Sequence, residues 1–163
     1  MRQLATFEQA AEMLRYDSET GILYWIKRPC HNVFVGDIAG TKTKSGYVQL
    51  SLHKRLYKAH RIVWLLHYKH WPETIIDHIN GNGFDNRIKN LRSATVSMNA
   101  QNQRKAMKTN ATGLLGVSPI KGKRKAEILV SGKKKYLGTF DSPETDHMAY
   151  IEEKRKSHYG CTL

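Results

Sequence analysis

Residues 75–102, IIDHINGNGFDNRIKNLRSATVSMNAQN, decide how the rest of the chain is read. IIDHI reads as a short strand, and Asn80-Gly81 and Asn82-Gly83 are turn dipeptides that tolerate left-handed backbone conformations. Leu91 and Arg92 return the chain. Thr95 stands where an N-cap would open a helix with Val96, Asn99, Ala100 and Gln103 on neighbouring positions. The expected order is strand, loop, strand, helix. On that frame Asp77 and the amide oxygen of Asn99 are hard oxygen donors, suited to Mg²⁺ or Mn²⁺ rather than to zinc. His78 can be neutral near pH 7 and accept a proton from water. Asn90 lies thirteen positions after Asp77 and nine before Asn99. A lone Asp-His pair would be equally at home capping a strand; four such residues in order point to metal-assisted phosphodiester chemistry.

Residues 59–102, from AHRIVW through DHINGNGFDNRIKNLRSAT to SMN, resemble an HNH endonuclease of the phage and mobile-intron kind. The resemblance implies a ββα-metal unit over about residues 74–104. It makes Asp77 and Asn99 the metal ligands, His78 the general base, and Asn90 the residue that holds the base in place through backbone or side chain. The implied cofactor is Mg²⁺, with Mn²⁺ able to substitute. The implied reaction cuts double-stranded DNA to 5′-phosphate and 3′-hydroxyl ends. One site per chain would nick one strand, so the protein is expected as a monomer or a DNA-induced dimer, in the cytoplasm of the host cell if phage-encoded.

The charge agrees with that partner. Lys and Arg number 27 against 14 Asp and Glu, a formal net charge of +13, which would draw the chain strongly to a polyanion. A membrane partner is not expected, because no apolar run approaches the roughly 20 residues that span a bilayer. The opening MRQLATFEQAAEM has acidic residues where a leader would be apolar. Cys30 and Cys161 are far apart and in no CxxC arrangement, so neither a disulfide framework nor a structural zinc site is implied.

Upstream, Thr6 and Gln9 read as a capping box for a short helix with Phe7, Ala10, Ala11 and Leu14 on one face. DSETG at 17–21 turns into the apolar ILYWI. After Gly46, Val48, Leu50 and Leu52 alternate with polar residues, HKR forms a hairpin tip and LYKAH returns. This half is expected to buttress the nuclease, with Lys54, Arg55 and Lys58 as alternative DNA contacts. A helix begins near His60, carries Ile62, Leu65 and Leu66 on one side, and is expected to stop near Trp71-Pro72 because proline disfavours the helical region for its predecessor. His60 could simply pack that helix.

Downstream, residues 104–112 are polar and basic and lack apolar periodicity. Three short strands separated by GKRK and SGKKK follow, then a helix opened by Ser142-Pro143-Glu144 and closed near Gly160. This order, with GVS, YLGTFDSPE and HMAY, resembles an AP2-type DNA-binding domain. Pro119 after GVS and Ala126-Glu127 after KRK depart from that family's tryptophans and arginines, so no base-reading contacts are carried across. The expected fold is α+β: a nuclease domain over 1–105 with a small sheet and helices around the ββα unit, a linker at 106–112, and an AP2-like domain over 113–163. The expected DNA contacts are Arg61, Arg87, Arg92, Lys121, Lys123, Arg124, Lys125, Lys133, Lys134 and Lys135, with the qualification that Arg87 could pair with Asp85. Two rival readings are a DNA-binding regulator that retains an HNH scaffold without cutting, and an RNA-binding accessory protein.

Overall fold

A computed structural model describes residues 4–163, the side chain of Pro143 aside. The first three residues of the leader-region reading therefore lie outside the described residues. The fold is mixed α/β with four α-helices among the described residues, and it divides into two compact units, 1–94 and 95–163. The sequence places the division later, at 106–112.

The first unit opens with α1 (Phe7–Met13), and its capping box forms as expected: Gln9 N donates to Thr6 Oγ1 and Thr6 N to Gln9 Oε1. Leu14 does not continue the helix. Its backbone is extended and it begins β1 (Leu14–Asp17), where it is 3% exposed and pairs with Trp25 of β2 (Ile22–Trp25). Burial of Leu14 is satisfied equally by helix and strand, and the antiparallel partner decides the matter. A second sheet runs β3 (Thr41–Lys42), β4 (Val48–Leu52), β5 (Arg55–Lys58), all antiparallel. His53 and Lys54 at the β4–β5 turn both take positive φ, the geometry that matches strand twist in a two-residue hairpin.

Helix α2 (Ala59–Tyr68) buries Ile62, Val63, Trp64 and Leu65 in the core shared with Leu14, Leu23, Leu50, Leu52 and Tyr57. It stops earlier than Pro72 suggests: Lys69 adopts a left-handed conformation, φ 64°, and its N–H closes on Leu65 O. Next come β6 (Ile75–His78), a loop, a short 3-10 turn at Ile88–Asn90, and β7 (Leu91–Ala94), which pairs antiparallel with β6.

The second unit begins with α3 (Val96–Gln101), capped by Thr95 Oγ1 accepting from Met98 N. Residues 102–116 form no regular element, yet they are tied down: Arg104 donates to Thr162 O and Oγ1, and Asn110 Nδ2 donates to Leu114 O and Val117 O. Strands β8 (Val117–Ile120), β9 (Lys123–Val130) and β10 (Lys133–Phe140) form an antiparallel sheet in sequence order, with a bulge in β10 between Tyr136 and Gly138. Helix α4 (Pro143–Ser157) packs on it, and Tyr150 of the helix is buried, as are Val117, Ala126 and Ile128 of the sheet. Gly116, at φ 74°, lies so close to the Tyr150 ring that any Cβ there would collide with it. No helix among the described residues is long and apolar enough to cross a membrane.

Candidate active site

Asp77 and His78 are the last two residues of β6, and each is only 5% exposed. Adjacent strand residues point to opposite faces, so the two side chains meet different surroundings. Asp77 lies opposite Arg92 in the β6–β7 ladder, and Arg92 donates from Nε (2.9 Å) and NH2 (2.8 Å) to Asp77 Oδ2. A buried carboxylate needs such a partner. It also means that Arg92, expected to meet phosphate, has its charge engaged by the expected metal ligand.

His78 faces an aromatic wall. Its ring lies 5.0 Å from that of His60, nearly perpendicular, and Tyr47 stands 5.6 Å from His60 and 5.9 Å from His78. Asn86 Oδ1 lies 3.1 Å from His78 Nε2. An amide oxygen can only accept, so Nε2 carries the hydrogen and the neutral ring's lone pair is on Nδ1. Burial lowers the His78 pKa below 6.5, outweighing the Asn86 hydrogen bond and the Asp77 and Asp85 carboxylates, which raise it. His60 is pushed to about 3, first by burial and then by the charges of His78, Lys58 and Arg61. Both imidazoles are therefore neutral at pH 7.

Asn86, which the sequence-based expectations did not include, thus accepts a hydrogen bond from the His78 ring. Asn90, expected to position the base, straps the loop that carries Asn86. Its Oδ1 accepts from Asn80 N, its Nδ2 donates to Asp85 O, and its carbonyl accepts from Ile79 N. Tyr16 of β1 anchors the far end of the loop, its hydroxyl donating to Asn86 O and accepting from Ile88 N. The loop also sits on the β3–β4 connection, where a Cβ at Gly83 would collide with Gly46 O and the Tyr47 ring. The bracing expected of the N-terminal half takes this concrete form.

Among the remaining expected residues, Arg87 is engaged by Asp85 in a two-point pair (2.7 and 2.6 Å), the alternative weighed for it, and this pair holds Asp85 down at about 2. Arg61 lies 5.7 Å above the Trp71 ring. Asn99 is exposed on α3, in the second unit. In that unit Arg124, expected to meet phosphate, donates from Nε at 2.6 Å to Asp146 of α4, whose side chain is wholly buried. Lys123, Lys125 and Lys135 pair with Asp141, Glu127 and Glu153. Lys121, Lys133 and Lys134 are exposed and form no ion pair among the described residues. Among the described residues no group of three or more His, Cys, Asp or Glu converges as a metal cage; the expected ligand pair is one carboxylate and one amide.

Residues 57–101 match the family model for HNH endonuclease. The match spans Asp77, His78, Asn90 and Asn99 and supports a nuclease acting on DNA. No curated protein and no solved structure matches the chain.

Proposed function

We propose that the chain is a metal-dependent DNA endonuclease of the phage or mobile-intron type, working in the cytoplasm of the host cell, and that it leaves 5′-phosphate and 3′-hydroxyl ends. The observation that carries this reading is a buried, neutral His78 oriented through Nε2 by Asn86, one residue from a buried carboxylate. The neutral imidazole of His78 would take a proton from a water aligned with the scissile phosphorus, the water oxygen bonding to phosphorus as the 3′ oxygen departs.

The donor chemistry fits a hard divalent cation. Asp77 would hold it through a carboxylate that Arg92 has already oriented, and Asn99 would add an amide oxygen, its place resting on the order of residues in the sequence. Bound there, Mg²⁺ or Mn²⁺ would supply charge stabilisation of the phosphate and the departing oxygen. The AP2-like unit would add affinity through Lys121, Lys133 and Lys134, and one site per chain would nick one strand of the duplex.

Supercoiled plasmid incubated with Mg²⁺ should become nicked, and EDTA should abolish this. The second reading is a DNA-binding regulator on an HNH scaffold, and the Arg92–Asp77 pair favours it, since the guanidinium competes with a metal for Asp77 Oδ2. Tight duplex binding with no nicking in Mg²⁺ or Mn²⁺ would establish that reading instead.

A further inference from the structure

We propose that Lys58 and Lys42 are the cations that hold the backbone phosphates of the cut strand beside His78. The proposal rests on the nuclease reading for its substrate, but it is drawn from a contrast among the cations of the first unit. Arg92 and Arg87 would have to abandon Asp77 and Asp85 to bind phosphate. Lys58 and Lys42 are exposed and form no ion pair among the described residues.

Each is instead laid on an aromatic ring, Lys58 on one in the wall around His78 and Lys42 on one in the loop that carries Asn86. Lys58, at the junction of β5 and α2, places Nζ 4.1 Å from the centre of the Tyr47 ring, the ring that packs against both His60 and His78. Lys42 of β3 places Nζ 5.2 Å from the Phe84 ring, on the loop that delivers Asn86 to His78. The close approach of Gly83 to Gly46 and Tyr47 ties these two ring platforms together. An aromatic face restrains an ammonium without neutralising its charge, so the N–H donors turned away from the ring stay open to an anion. A carboxylate partner would have consumed them. Two ammonium groups restrained in this way, Lys42 on β3 and Lys58 at the end of β5, suit successive phosphates of one strand.

The test uses the full chain and a short duplex. In EDTA, where nothing is cut, the slope of log affinity against log salt should fall by about 0.9 for Lys58→Gln and for Lys42→Gln, and by about twice that for the double variant. Lys58→Arg should keep the wild-type slope, as should Lys27→Gln, a cation paired with Glu12 elsewhere on the unit. In Mg²⁺, single-turnover nicking at saturating protein should slow roughly tenfold or more for Lys58→Gln, because a misplaced strand reacts slowly even when bound. A double variant with the wild-type slope overturns the proposal. If the wild type does not nick, the nuclease reading fails, while the slopes measured in EDTA still decide the lysines.

Discussion

At the scale of single residues, the site turns on how two buried imidazoles are kept neutral. Because burial lowers the His78 pKa, its base form survives below pH 6.5, and nicking should fall away only as the pH drops through that lowered value. His78→Ala should slow nicking by about 10²-fold to 10⁴-fold and leave DNA affinity nearly unchanged; full activity in matched metal and buffer would remove its role as base. Asn86→Asp puts a carboxylate against Nε2 and should shift the acid limb of the rate profile to higher pH, a shift that a merely structural asparagine would not produce. His60 makes a separate prediction about stability. Its folded value near 3 lies below the unfolded 6.5, so the unfolded chain binds more protons between these limits. The stabilising contribution of neutral His60 is complete above pH 6.5 and lost as pH falls toward 3. His60→Gln should therefore lose less stability between pH 7 and pH 4.5 in denaturant titrations, and a decline as steep as that of wild type would contradict the assignment.

At the scale of elements, Arg124 carries a prediction about stability. In the string GKRK it reads as one of several phosphate-binding cations, but on β9 it faces α4 and joins the buried Asp146. Removing one partner of such a pair typically costs about 3–5 kcal/mol, here moderated because Arg124 remains partly exposed. Arg124→Ala should thus lower the melting temperature of the second unit and leave the salt slope of DNA binding unchanged; the reverse result would return it to the surface. What the sequence makes legible is local. The Thr6 and Thr95 caps, the hairpin at His53-Lys54 and the strand–loop–strand order around Asp77 are each specified within a few residues. Partners distant in the chain were not legible. Leu14 is a strand residue because of Trp25, Arg92 is engaged because the ladder sets it opposite Asp77, and Asn86 reaches His78 because Asn90, Tyr16 and Gly83 hold its loop. Asn90, expected to hold the base in place, hydrogen-bonds Asn80 and Asp85 and so straps the loop.

At the scale of the whole molecule, the boundary between the units falls inside the stretch that matches the HNH endonuclease model, and that makes its last expected site residue, Asn99, depend on the second unit. Residues 1–94 contain their own core, drawn entirely from Ala5 to Leu91, and should fold alone. Asn99 lies beyond them on a six-residue helix, too short to persist in water without tertiary support. That support comes from the end of the chain. Gly160 packs on Met98 O and donates to Gln101, Thr162 donates to Asn102, Arg104 donates to Thr162, and Lys154 donates to Gln103 O. A fragment ending at 105 keeps Asn99 but strips away every one of these partners. We therefore expect 1–94 to fold without nicking, 1–105 to nick far more slowly than the full chain even at saturating protein and high Mn²⁺, and both to show shallower salt slopes for want of Lys121, Lys133 and Lys134. Single-turnover plasmid assays beside calorimetric metal titrations of the three proteins would decide it. Metal-dependent nicking by 1–94 would remove Asn99 from the ligand set. Full-rate nicking by 1–105 would show that the helix bearing Asn99 needs nothing from residues 154–162.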